Sequence, residues 1–141
     1  MKEYNQYDVI PIKWLQKSND NLKAAKLLLQ GRQVFDVVAF HAQQCVEKAL
    51  KAFLLFKEGI LSEGHSLPKL VQKCIIFDPG FKEYEDRLHI LNSFYIETRY
   101  PAEEELNVKE EDAEGAIETA NNILEYVCKK INIDTEFQNE Q

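Results

Sequence analysis

The stretch from Val34 to Lys57, VFDVVAFHAQQCVEKALKAFLLFK, contains no Gly or Pro and constrains the fold more than any other part of the chain. Val38, Ala42, Cys45, Val46, Ala49, Phe53 and Phe56 recur at the spacing of one helical face. Leu50 and Leu54 widen that face on one side, and Val37 and Leu55 on the other. An apolar surface this wide suits a helix packed on more than one side. About 24 residues at ~1.5 Å each give roughly 36 Å, the height of a small bundle. A polar stripe interrupts the surface at His41, Gln44, Lys48 and Lys51. Their spacing by three and four lets one partner meet them together.

The remaining segments read as helices arranged around this one. The first is expected from near Pro11, with Trp14, Leu15, Leu22, Ala25 and Leu29 at helical spacing and Gly31 as its stop. The short link Gly31-Arg32-Gln33 makes the first two helices an antiparallel hairpin. Gly59 ends the second helix. A third, short helix follows Ser66 as N-cap, with Pro68 in its first turn and Leu67, Leu70, Val71, Cys74 and Ile75 as its face. Asp78-Pro79-Gly80 breaks the chain.

A fourth helix is expected over Phe81 to Thr98, striped by Tyr84, Leu88, Leu91, Phe94 and Tyr95, and stopped by Pro101. Asn107 with Glu110 resembles a capping box opening a fifth helix. Its face runs Ala113, Ala116, Ile117, Ala120, Ile123, Leu124, Val127 and Ile131. The expected architecture is all-α: an up-and-down antiparallel bundle of four long helices plus one short helix. The bundle spans residues 11–132, between a polar lead-in (1–10) and a frayed tail (133–141).

With 141 residues and 45% hydrophobic content, the chain has the size and core of one domain. The formal charge of −7 works against general nucleic-acid binding, which needs clustered Lys and Arg. Cys45, Cys74 and Cys128 are odd in number, form no CxxC pair and lie among apolar neighbours. They read as buried free thiols in a cytoplasmic protein rather than as disulfides or zinc ligands. No run approaches the ~18 apolar residues of a membrane span, so no membrane partner is expected.

Three pieces occur together in order: FHAQQCVEKALKAFL, GHSLPKL and TRYP. With the W-L-x-x-S-x-x-N-L-x-x-A-x-x-L-L pattern of the first helix, they resemble the HEPN domain family over roughly Ile12 to Ile131. The resemblance implies a helical bundle that commonly pairs into a homodimer. It also implies similarity to the substrate-binding half of kanamycin nucleotidyltransferase, and a partner that is a minimal nucleotidyltransferase, in a complex or a toxin–antitoxin pair. No cofactor is implied.

Some members of the family are metal-independent ribonucleases, in which an Arg is followed, after four to six residues, by a His. Here Arg99 is followed at those offsets by Glu104, Glu105 and Leu106, so that motif is absent. An imidazole suits the proton transfer such chemistry needs, and the loop after Arg99 supplies none.

Each candidate site residue has a functional reading and a structural one. Arg99 is a phosphate or carboxylate grip, or a structural ion pair with Glu47 plus a helix cap. Tyr100 is a stacking platform or a packing plug. His65, just ahead of a helix N-terminus, is an anion contact or part of the capping turn. His41, Gln44, Lys48 and Lys51 are the wall of a cleft or a solvated flank. The acidic residues Glu103, Glu104, Glu105, Glu110, Glu111 and Asp112 read as solvated charge rather than a Mg²⁺ site.

The expected function is a HEPN-type binding module for a nucleotide or a nucleotidyltransferase partner, with no catalysis of its own. A ribonuclease toxin with a nonstandard base, His65 or His41, is the alternative. A purely structural dimer subunit is the third reading.

Overall fold

A computed structural model describes the backbone of residues 6–99 and 107–131, and the side chains of residues 10–94 and 107–131. Among the described residues, five α-helices and one 3-10 helix make an all-α bundle: α1 (Gln6–Gln30), α2 (Phe35–Glu58), α3 (Leu67–Phe77), the 3-10 helix (Pro79–Tyr84), α4 (Glu85–Arg99) and α5 (Glu110–Ile131). No strand occurs among the described residues. Tyr100, the acidic residues Glu103 to Glu105 and the tail 133–141 lie outside them, and Arg99 is described by its backbone alone.

The long apolar helix sits at the centre, as its pattern requires. α2 packs against α1, α3, α4 and α5. Val38, Ala42, Cys45, Val46, Ala49, Leu50, Phe53 and Leu54 lose all exposure. The stripe ends near the helix terminus, where Phe56 is 39% exposed. Gly59 then turns the chain at φ 75° and donates its N–H to the Leu55 carbonyl (2.8 Å). A residue with a Cβ is disfavoured there.

α1 runs antiparallel to α2. Ser18 bonds the Cys45 carbonyl (2.7 Å), while Asn21, further along α1, reaches back to His41 (3.1 Å). The connecting turn is strained: Arg32 (φ 53°) and Val34 (φ 49°) both take left-handed conformations. Arg32 also reaches the first residue of α5, bonding Glu110 at 3.0 and 3.2 Å.

The boundaries correct several expectations. α1 begins at Gln6, so Pro11 lies inside the helix. Its missing N–H forgoes only the bond to the carbonyl four residues earlier, close to the helix start. The segment after Pro79 first winds as a 3-10 helix and becomes α-helical only at Glu85. The cause is Asp78, whose side chain caps the Gly80 N–H (3.0 Å) and tightens that turn. The fifth helix is capped two residues later than the Asn107–Glu110 pattern places it. Asp112 reaches back to the Lys109 N–H (3.0 Å), and Glu110 is the first helical residue. Ser66 does cap α3, accepting from the Lys69 N–H (3.4 Å).

Asp78 also closes the far end of the bundle. It accepts from the Tyr126 hydroxyl (2.8 Å) and lies 3.4 Å from the Lys130 ammonium. Phe81 packs edge-on between Phe53 and Tyr126, at 4.8 Å from each ring. All three cysteines are buried and unpaired, and burial pushes the Cys45 and Cys128 thiols up to about 12.

Candidate functional site

The polar stripe of α2 does not act as one surface. Glu47 divides it, because the same four-residue step that places Lys51 one turn above Glu47 turns both inward. The Lys51 ammonium lies 3.2 Å from Glu47 Oε2, with the two side chains only 8% and 6% exposed. Glu47 in turn holds His65, whose Nδ1 is 3.1 and 3.3 Å from its two oxygens. A carboxylate oxygen accepts, so Nδ1 is the donating nitrogen of this pair. The His65 side chain is 60% exposed, so an imidazole at the surface is oriented by a carboxylate beneath it.

His65 reaches this position because the loop after α2 folds back along the helix. Gly64 takes φ 93°, a left-handed turn immediately ahead of it. Immediately beyond it, Asn92 of α4 accepts from the Leu67 N–H (3.0 Å) and ties the start of α3 to α4. Arg99 ends α4 seven residues further on, about 10 Å along the helix axis.

The other half of the stripe faces α1. Lys48 donates to Asn21 Oδ1 (2.6 Å), and the amide nitrogen of Asn21 lies 3.1 Å from His41 Nδ1. With its oxygen taken by the ammonium, Asn21 turns its NH₂ to His41, so Nδ1 there accepts. The His41 pKa is lowered, first by burial and then by the nearby Lys48 charge. Both effects favour the neutral ring that this hydrogen bond requires.

Gln44 points elsewhere and donates to Gln43 Oε1 (2.7 Å). Gln43 is fully buried, and its Nε2 has no partner among the described residues. Gln43, Glu47 and Lys51, four apart, therefore form a buried polar row on the central helix. No group of three or more His, Cys, Asp or Glu placed to hold a metal occurs among the described residues. No described helix is long and apolar enough to cross a membrane.

The HEPN domain model matches residues 12–131. The chain belongs to the HEPN domain family. This HEPN chain is similar to a Methanocaldococcus jannaschii protein named a candidate toxin, MJ1304. The two are 30% identical over an alignment of 128 residues, with 81% of this chain and 83% of the relative covered. The bundle superposes on the crystal structure of TT1696 from Thermus thermophilus with a TM-score of 0.71 at 29% identity, covering 85% of this chain and 97% of the other. It superposes equally on ST0689, an archaeal HEPN homologue, with a TM-score of 0.70 at 28% identity, covering 86% and 97%.

Of the residues that the sequence singles out, the HEPN bundle joins Lys51 to His65 through Glu47, and His41 to Lys48 through Asn21. It gives Gln44 to a neighbouring amide. Glu47 is the residue that sequence reading underrated, naming it only as an ion-pair partner for Arg99. Its four-residue step to Lys51 was visible, but its burial was not. Asn92 carried no signal, and Asn21 entered only as one letter of the first-helix pattern, because a helical Asn in isolation reads as solvent-facing.

Proposed function

We propose that this HEPN chain is a binding module. In this reading it recognises a nucleotide or a minimal nucleotidyltransferase partner through α2 and the loop ending at Ser66, and works as a homodimer. The observation that supports it is the Glu47 cluster. A carboxylate and an ammonium taken out of water incur a desolvation penalty that their attraction only partly offsets. Apolar side chains would stabilise the same seam at least as well. The cluster instead fixes one imidazole at the surface, a group whose chemistry suits an anionic or amide-bearing ligand.

Titration of the purified protein with ATP, AMP and inorganic phosphate by calorimetry tests the nucleotide arm. Co-expression with a candidate nucleotidyltransferase tests the partner arm, and light scattering the dimer. His65→Ala should weaken whichever interaction is found by about tenfold or more, the loss of one charge-assisted hydrogen bond. Absence of both nucleotide and partner binding would leave the reading without support.

A second reading, a ribonuclease toxin, is favoured by the name of the archaeal relative and by the Glu47–His65 pair. A carboxylate that orients an imidazole is the arrangement of a general base. Labelled RNA incubated with the pure protein separates the two. Cleavage abolished by both His65→Ala and Arg99→Ala would establish the ribonuclease and displace the binding module.

A further inference from the structure

α4 and α5 both pack on α2 but meet each other only sparsely. Between them lies a groove of about 280 Å³. Its floor is apolar: Ile90, Leu91 and Phe94 from α4 face Ala116 from α5. Ile90 remains 63% exposed. The volume lies just under the ~300–1,000 Å³ typical of small-molecule pockets. An open trough of that size takes a row of side chains better than it encloses a compact ligand.

Gly115 is the second observation. It lines the groove in the middle of α5, and a Cβ there would meet nothing within 4 Å. No contact among the described residues therefore requires glycine at this position, although glycine lowers helix stability relative to alanine. Its bare backbone leaves room for close approach from outside.

The charges around the groove indicate what that is. Glu111, Asp112 and Glu118 line the α5 side. The only basic group among the lining residues is Arg87, whose guanidinium stacks 4.9 Å over the Tyr84 ring. A second copy of a chain with net charge −7 would bring further negative charge to this rim.

We propose that the α4–α5 groove binds a basic amphipathic helix of another protein, its apolar stripe on Ile90 and Phe94 and its Lys or Arg residues against Glu111 and Glu118. Such helices lay residues spaced three and four apart into a groove of this shape. This surface is separate from the Glu47–His65 cluster and does not depend on the function proposed for it.

The probe is a fluorescein-labelled peptide of about 18 residues, Leu at i, i+3, i+4 and i+7 positions and Lys elsewhere. Fluorescence anisotropy should show it binding the full chain, and a matched Leu/Glu peptide should not bind. The Glu111→Lys/Glu118→Lys pair and Gly115→Leu should each weaken binding by about tenfold or more. Reversal of two exposed carboxylates that do not line the groove, Asp20→Lys/Glu58→Lys, should change it less than about threefold. Gly115→Ala should raise the midpoint of thermal unfolding while lowering peptide affinity, which separates a binding role from a folding role.

Equal weakening by the control pair would reduce the effect to general attraction and overturn the proposal. So would absence of binding, or unchanged affinity in Gly115→Leu. A dimer that Ile90→Asp dissociates would make the occupant a second copy and would also overturn it.

Discussion

The Glu47 carboxylate, 5% exposed on the central helix, bonds Nδ1 of His65 at 3.1 Å, although 18 residues and a helix end separate them. Lys51, one turn along the helix, completes the cluster at 3.2 Å. One buried acid therefore fixes two basic side chains, one inside the bundle and one at its surface.

Removing that acid should be severe. Glu47→Ala leaves the Lys51 ammonium buried without a counter-charge and should lower unfolding free energy by about 3–5 kcal/mol in urea titrations. The double variant Glu47→Leu/Lys51→Met should recover most of the loss, because it removes the charge along with its partner. A double variant as unstable as Glu47→Ala would show that shape, not charge, governs the site.

Gly80 is fixed by space. A Cβ there would overlap the Tyr126 hydroxyl and stand 3.3 Å from Cζ of the ring and 3.1 Å from Asp78 Oδ1. Gly80→Ala should therefore destabilise by about 1–3 kcal/mol, the range for overpacking a filled site. Tyr126→Phe in the same chain should give a combined loss smaller than the sum of the two, since it removes the clashing atom. Strict additivity in thermal unfolding would contradict this geometry.

The link between the first two helices holds a strained residue. Val34 sits at φ 49°, a conformation that costs an L-residue roughly 1–2 kcal/mol, and its side chain is half exposed. Val34→Gly should stabilise by up to about 1 kcal/mol after the entropy of glycine is counted. A clear loss of stability on chemical denaturation would show that Val34 contributes packing that outweighs its strain.

His41 should make folding sensitive to mild acid. Its pKa lies below the ordinary 6.5, through burial first and Lys48 second. Just below pH 6.5 the unfolded chain then binds more protons than the folded one, so this contribution is present above 6.5 and lost as pH falls through the folded value. NMR titration should place the His41 midpoint below 6.5. Lys48→Gln should move it only part of the way back, because burial is the larger cause. A midpoint at or above 6.5 would refute the arrangement around Asn21.

The periodicity of Val34–Lys57, the breaks at Gly31, Gly59 and Asp78-Pro79-Gly80, and the apolar face of α5 were enough to define an all-helical bundle. Such signals are legible because hydrophobic spacing and backbone restrictions act within a few residues. Where the partner lay far along the chain, local reading slipped: the polar stripe split in two, one half held by Glu47 with His65 and the other by Asn21.

The same division holds for the candidate site. His65 stood out because it precedes a helix start, and His41, Gln44, Lys48 and Lys51 because they share a stripe. Whether any of them touch depends on how far the loop after Gly59 folds back and how α1 registers on α2. Helical spacing alone specified a long, many-sided apolar rod and therefore a bundle around it. Only packing in three dimensions decided that Glu47 would be buried, that Asn21 would bridge Lys48 and His41, and that α4 and α5 would leave a groove. Those outcomes arise from contacts between residues far apart in the chain, which local spacing cannot encode.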